Sequence, residues 1–494
     1  MAVSTKTQST MWEHPQYTAT AKAVRRMRDS VAGEDVIKSK GVTYLPHPCH
    51  DPDAQRSAEQ VVRYDAFKIY AEYENTPGNT LETLVGAMFR VPPTIDLARM
   101  DDTLINDSDG NGMGLEESLE LTAAECLQMR YEGLLVEYSD LAGLDPSEIS
   151  EEVRRDLGLR ATIKHYPRES IVDWSYRVIN GAKQLNMVIL RDCERQVVNP
   201  AEVGASAFNR ETIEAYLVLG LDADGGYFQR RYVVDSASNS TGKWSEMIYP
   251  EANDAKLNHI PFEIVFSTER KVGDIPAQLG YLDPISLKAV HRYQVSALLK
   301  EALRLTAQPT SWSKGWTEQS LALYQKATGR DYVSLGSGEH IPLFGDAEAG
   351  YLEWNADSNG LFKYMEENKK DAVALGAVFS DLGEQAETAT AAAINSAEKK
   401  GVLSTLAKNI EQSYRKVLGW VAEFDGTDAE GANVKLSREF VAIRLSAQDR
   451  AAIVAEYNAG VITRAEAIRQ LEKGGVLTVE AEALLDELER AGQV

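Results

Sequence analysis

From Ile285 to Phe424 the sequence reads as three long helices broken by one compact insert and one short polar interval, and this order constrains the fold more than any single motif does. The first helix spans Ile285 to Ala307 and is stopped by Pro309, because a proline disfavours helical backbone at the residue before it. Residues 309 to 355 are rich in Ser, Gly and Trp and hold two extended pieces, DYVSL and HIPLF. A second helix is predicted from Ser358 to Phe379. After the polar interval SDLGEQAE, an Ala-rich third runs from Thr388 to Phe424.

Upstream, helical periodicity covers Pro15 to Ala32, stopped by Gly33, and Arg56 to Tyr73, where Val61, Val62, Ala66, Ile69, Tyr70 and Tyr73 recur at three and four positions. Thr80 to Phe89 and Leu115 to Tyr131 continue the pattern. From 130 to 270 the character changes: LLVEYSD, IKHYP, NMVILRD, AYLVLGL, YFQRRYVVD and FEIVFS are short β-branched and aromatic runs between turn residues, and Asp224-Gly225-Gly226 signals a hairpin. These runs predict an antiparallel sheet region, with one helix near Ser147 to Leu157. Beyond Gly426 a strand is expected at Phe440 to Leu445, then short helices, one opened by a capping box at Thr463 and Glu466. The class is α+β, mainly helical, and 494 residues suggest about three structural units.

Acidic residues outnumber basic ones 75 to 52, a formal charge of −23, which has the wrong sign for stable binding along phosphate backbones. Cys49, Cys126 and Cys193 are odd in number and far apart, so they supply neither a disulfide framework nor a zinc ribbon. The first twenty residues are polar and lack the apolar run of a signal peptide, and no stretch approaches the ~20 apolar residues of a membrane span. A soluble intracellular protein is expected.

Enzymatic motifs fail on inspection. Asp107-Ser-Asp-Gly-Asn-Gly112 places Asp107, Asp109 and Asn111 as in the first half of a calcium loop, but Ser118 stands where the bidentate Glu belongs, and a turn feeding the next helix explains the segment as well. Ser240-Thr-Gly-Lys243 lacks the glycine and the hydroxyl that a phosphate loop requires, and Gly336-Ser-Gly338 lacks the third glycine of a dinucleotide site. His47 and His50 around Cys49 need distant partners to hold a metal. There is no nucleophile elbow and no zincin helix. No catalysis and no cofactor are expected.

Two features invite contact with other molecules. Lys288, Arg292, Lys300 and Arg304 form a basic stripe on the 285–307 helix, either a solvated face or a surface meeting acids of another subunit or phosphates. Trp312 and Trp316 flank Lys314 and Gly315 at the head of the insert, where amphipathic rings suit a protein interface.

The order of parts resembles the portal proteins, or head–tail connectors, of tailed bacteriophages. The likeness rests on GVTYLP at 41–46, ETLVGAMFRVPP at 82–93, the DSDGNG turn, SIVDW at 170–174, HIPFEIVF at 259–266, LDPISLKAVHRYQVSALL at 282–299 and GEQAETATAAAI at 383–394. The resemblance implies a ring of about twelve copies with wing, stem, clip and crown regions. By that likeness, residues 1–281 form the wing, 282–308 a stem helix, 309–356 the clip and 357–379 the second stem helix. Residues 380–387 are then the tunnel loop, 388–445 the long wing helix and strand, and 446–494 the crown. Such a ring sits at one capsid vertex of the virion, assembled in the host bacterial cytoplasm, and is the channel for DNA packaging and ejection. It binds the terminase motor and then the tail through a head–tail adaptor, and contacts major capsid and scaffolding proteins. Double-stranded DNA passes through it without sequence readout, and no membrane is involved. The implied contact residues are Ser380, Asp381, Leu382, Gly383, Glu384 and Gln385 in the tunnel loop, the four stem cations, and Trp312, Lys314 and Trp316 in the clip. A different virion component, such as a tail-tube or capsid protein, is the alternative, and a packaging enzyme is disfavoured by the missing phosphate loop.

Overall fold

The computed structural model describes residues 12–48, 58–138, 159–179, 181–192, 194–197, 210–234, 242–252, 255–269, 275, 278–307, 311–329, 343–351, 358–377, 397–440, 447–473 and 484. The principal elements, in chain order, are helices α1 (Pro15–Ala32), α2 (Ala58–Tyr70), α3 (Thr76–Met88) and α4 (Leu115–Met129), then strands β1 (Tyr131–Tyr138), β2 (Ala161–Pro167), β3 (Ile171–Ile179), β4 (Ala182–Arg191), β5 (Ala215–Leu221), β6 (Tyr227–Val233), β7 (Lys243–Trp244) and β8 (Phe262–Phe266). Helix α5 (Asp283–Ala307), strand β9 (Ser311–Lys314), helix α6 (Glu318–Thr328), strand β10 (Glu348–Tyr351) and helices α7 (Ser358–Ala374), α8 (Ala397–Asp425), α9 (Ala447–Asn458) and α10 (Arg464–Lys473) follow. The fold is α+β.

The chain divides into two units. One unit holds Met1–Val24, Leu81–Tyr281 and Ser380–Val494; the other joins Arg25–Thr80 to Leu282–Phe379.

In the first unit the predicted antiparallel region is two sheets, a three-stranded one ordered β8-β1-β2 and a five-stranded one ordered β7-β6-β5-β4-β3. The Asp224-Gly225-Gly226 signal closes the β5–β6 hairpin: Asp222 Oδ1 accepts the N–H groups of Asp224 (3.0 Å) and Gly226 (2.8 Å), and Gly225 has φ +85°. Helices α4 and α8 cover the three-stranded sheet. Leu403, Leu406, Ala407, Ile410, Tyr414, Val417, Leu418 and Val421 recur at helical spacing on α8 and are all buried, which is why a helix of 29 residues is stable here. The strand beyond Gly426 is Asn433–Lys435, paired with Thr94–Asp96; Phe440 lies outside any strand, and residues 441–445 fall outside the described residues, as does the helix expected at 147–157.

The end of α4 is clamped by a buried arginine. Arg168 Nη1 donates to the carbonyls of Met129 (2.8 Å) and Gln278 (2.9 Å), occupying an orphan helix-end acceptor, and its guanidinium lies 4.7 Å from the Tyr131 ring centre. Gly280 closes this corner, where an added Cβ would stand 2.0 Å from the Gln128 carbonyl oxygen. Backbone cannot yield as a flexible side chain can, so Gly280→Ala is expected to cost about 3 kcal/mol. Urea unfolding checks it, and a midpoint equal to wild type would show that the corner is not tightly held.

In the second unit α2 and the segments on either side of it contribute Ile37, Tyr44, Leu45, Tyr64, Phe67, Ala71 and Tyr73 to a core completed by Ala289, Val290, Tyr293 and Ala297 of α5. This corrects the sequence reading of α2. Tyr64 and Phe67 face the core, whereas Val62 (69%), Ile69 (67%), Tyr70 and Val61 stay exposed. The periodicity was real, but two apolar faces competed and the aromatic one was buried. Beyond α5, β9 and β10 pair antiparallel around α6, a helix not foreseen in the insert, and α7 packs on α5. DYVSL lies outside the described residues, and the described part of HIPLF, Leu343 and Phe344, is not strand.

Candidate functional site

Of the contact residues predicted from the sequence, the four cations lie on α5 and Trp312, Lys314 and Trp316 lie on β9 and just after it, all in the second unit. All four stripe cations have an acid within that unit: Lys288 Nζ lies 2.7 Å from Asp371, Arg292 3.1 Å from Glu74, Lys300 2.7 Å from Glu72, and Arg304 3.1 Å from Glu301. The stripe is therefore neutralised locally. As partly solvated pairs these contribute about 0–1 kcal/mol each, so they tune the surface and do not hold it together.

The exposed apolar residues of the same unit are more informative. Leu287, Leu298 and Leu303 project from α5, Phe362 (48%), Tyr364, Val373 (47%) and Leu375 from α7 and its end, and Val61, Val62, Ile69 and Tyr70 from α2. On α7 the buried face is only the Asn368–Ala372 strip, while Phe362, Glu366, Lys369 and Val373 form a second row at helical spacing. Among the described residues, fifteen of the twenty-four large apolar side chains that are more than a third exposed belong to this unit, the smaller of the two.

In the hairpin, Trp312 is half-buried with its ring over Gly350, where a Cβ would come within 3.2 Å, and Lys314 sits 5.6 Å above the indole while pairing with Glu348 at 2.7 Å. Trp316, also half-buried, meets the buried Tyr324 of α6 edge-on at 5.4 Å. Gly315 joins the two tryptophans at φ +74°, and a Cβ there would meet the Asp346 carbonyl oxygen at 2.4 Å. The tryptophans thus stiffen the module and present only part of each ring outward. The loop Ser380, Asp381, Leu382, Gly383, Glu384 and Gln385, and the Glu387 to Thr390 segment after it, lie outside the described residues.

The Asp107 loop is a turn. Asp107 Oδ1 accepts the N–H groups of Gly110 (2.8 Å) and Gly112 (3.0 Å), its other oxygen is bound by Arg160, and Asp109 Oδ1 accepts from Asn111 (2.8 Å) and Met113 (3.1 Å). Burial pushes the Asp109 carboxyl up, but these donors outweigh it and hold the group below its ordinary value. Among the described residues no three His, Cys, Asp or Glu side chains converge to hold a metal. His47 stacks on Tyr64 at 5.1 Å, and Cys49, His50 and Cys193 lie outside the described residues.

One constellation escaped the sequence reading. His165 Nδ1 is 2.9 Å from Glu132 Oε1 and its Nε2 is 2.9 Å from Ser118 Oγ, the hydroxyl–imidazole–carboxylate order of a nucleophilic triad. Ser118 and Glu132 have no exposed surface, and the Ser118 hydroxyl is also bound to Tyr414 Oη at 2.7 Å, so no substrate reaches it. The signal available in the sequence was Ser118 and Thr122, two hydroxyls at i,i+4 within the apolar face made by Leu115, Leu119, Ala123 and Cys126. A separate cleft of about 320 Å³ between the sheets, lined by Glu137, Lys164, Tyr166, Asp192 and Arg231, is filled with compensating charge: Lys164 pairs with Glu137 at 2.6 Å and Arg231 with Asp192 at 3.0 Å. Burial, then the Glu137 and Asp192 charges, pushes the Tyr166 hydroxyl up, keeping it protonated there.

Residues 285–425 match DUF4055, a domain of unknown function. The matched stretch is bounded by the start of α5 and the end of α8. No curated protein matches the chain. Solved structures similar to it include a chain titled as the virion of a native gene transfer agent particle, at 12% identity and a TM-score of 0.41, covering 90% of this chain and 99% of that one. Two others come from the neck of the gene transfer agent particle: the empty particle with C6 symmetry (13% identity, TM-score 0.38, covering 82% and 90%) and the native particle with C12 symmetry (11%, 0.40, covering 80% and 89%). Among the described residues no helix is long and apolar enough to cross a membrane.

Proposed function

We propose that this chain is the subunit of a closed ring, the portal or head–tail connector at one capsid vertex of a phage-like particle. Such a ring passes double-stranded DNA during packaging and ejection and receives first the packaging motor and then the tail adaptor. The role is structural, with no chemical step. The observation that carries it is the exposed apolar surface of the second unit. Eleven large residues on α2, α5 and α7, at roughly 100 Å² of exposed area each, amount to about 1,000 Å². Because a head-to-tail contact joins one face of each subunit, burial of both faces would remove about 1,000 Å² per contact, against ~1,600 Å² in total for a standard interface. Two different faces of one unit, α2 with α5 and α7, suit head-to-tail contact, which closes into a ring when the rotation allows.

Because the stripe cations are matched within the subunit, the ring is held by apolar burial and its stability is insensitive to screening. Native mass measurement is expected to give roughly 650 kDa, twelve copies of 54.5 kDa, at both 0.1 M and 1 M salt. A strictly monomeric species at high concentration in both salts would sink the ring reading. Dissociation at 1 M alone would move the interface to the charged rows.

A further inference from the structure

The triad-like contact of the first unit is part of a longer chain of hydrogen bonds. From Glu132 Oε1 it passes through His165 to Ser118 Oγ (2.9 Å at each step), on to Tyr414 Oη at 2.7 Å and to Thr122 Oγ1 at 3.0 Å, whose hydroxyl also faces the Glu132 carboxyl. It links β1, β2, α4 and α8, and every member is buried. Its polarity is set by one proton. When His165 carries a proton on Nδ1 alone, it donates to Glu132 and Nε2 must accept from Ser118, whose oxygen then accepts from Tyr414, which in turn accepts from Thr122. When Glu132 is protonated and donates to Nδ1, the neutral ring carries its proton on Nε2, which donates, and each later bond reverses: Ser118 donates to Tyr414 and Tyr414 to Thr122. The three hydroxyls reorient together because each has one proton to give.

We propose that this chain is a proton-set polar switch, in which the protonation state of the Glu132–His165 pair governs how firmly α8 is seated on its sheet. The proposal does not depend on the ring reading. Its direction follows from the charges around the pair. On α4 the neighbours are Glu125 and the buried Cys126 thiol, and on α8 Tyr414; on β8 Glu263 stands two residues from Val265, which pairs with Glu132 in register, and Lys416 Nζ binds it at 2.6 Å. With Glu132 ionised, no Lys or Arg among the described residues pairs with the buried carboxylate, and taking up one proton removes its charge. Burial raises the Glu132 carboxyl above its ordinary value, against the opposing effect of its His165 hydrogen bond. A group whose folded value is raised stabilises the fold below the ordinary carboxylate value and loses that contribution as pH rises through the folded value. The seat of α8 is therefore tighter while Glu132 holds its proton and looser once the pH has risen through its raised folded value.

Hydrogen–deuterium exchange on the full-length protein at pH 5.5 and 8.0, corrected for intrinsic rates, reads this directly. Peptides covering 403–421 are expected to exchange at least fivefold more slowly at pH 5.5. Glu132→Gln, which cannot ionise, is expected to remove that dependence. Tyr414→Phe keeps the ring in the core but cuts the chain, so the α8 peptides should lose their pH response while peptides from β1 keep theirs. Equal protection at the two pH values in the wild type overturns the switch. So does a Tyr414→Phe protein whose α8 peptides respond to pH as before, since the charge would then act without the hydroxyl chain.

Discussion

Replacing Tyr414 by Ala is expected to lower the stability of the first unit by about 4 kcal/mol, at the upper end for loss of a buried aromatic ring. The side chain has no exposed surface, and deleting it empties a ring-sized space between α4 and α8. It also strips the Ser118 and Thr122 hydroxyls of a shared partner. Tyr414→Phe, which removes only the hydroxyl, is expected to cost about 1–2 kcal/mol. Urea unfolding followed by tryptophan fluorescence separates the two losses, because Trp420 lies on the same helix. A Tyr414→Ala loss below about 1 kcal/mol would mean that the α4–α8 contact relaxes around the gap and is not the rigid seat described above.

If the proposed ring is held through α7, the double variant Phe362→Glu, Val373→Glu is expected to give monomers at micromolar protein where the wild type gives the ring. Both residues are about half exposed within a single subunit, so the folded subunit tolerates the charges and its circular dichroism should be unchanged. Across an interface the same carboxylates must be desolvated next to apolar groups, a penalty of several kcal/mol repeated at every contact of the ring. Mass photometry with wild-type and variant protein at equal concentration tests this. A variant that still forms particles of ring mass would place the subunit contact elsewhere than α7.

Sequence and structure agree where one periodic face dominates. Helix α1 ends at Gly33 because the chain turns to φ +101° there, and the 285–307 and 358–379 readings fall within a few residues of α5 and α7. Agreement fails where two patterns overlap, as on α2, whose Val and Ile row was the more regular in sequence while Tyr64 and Phe67 supplied the larger buried area. It fails again for contacts between distant segments. Nothing in the spacing of Glu132, His165 and Tyr414 announces that three elements bring them together, and the partners of the stripe cations, Glu72 and Glu74, precede α5 by more than two hundred residues. Helical period reports which face is apolar; it is silent on which distant side chain will answer a charge.

The split make-up of the second unit also sets a schedule for the newborn chain. Residues 25–80 emerge from the ribosome early, but their core closes only on Ala289, Val290, Tyr293 and Ala297 of α5. At ~5–20 residues per second, the intervening two hundred or so residues take about 10–40 s to synthesise. Throughout that interval Tyr64, Phe67 and Tyr73 have no partner helix to cover them. Each subunit thus passes through a stage with aromatic surface open to chaperones and to sister chains on the same message, before the α2 and α7 faces that suit ring contact exist in folded form.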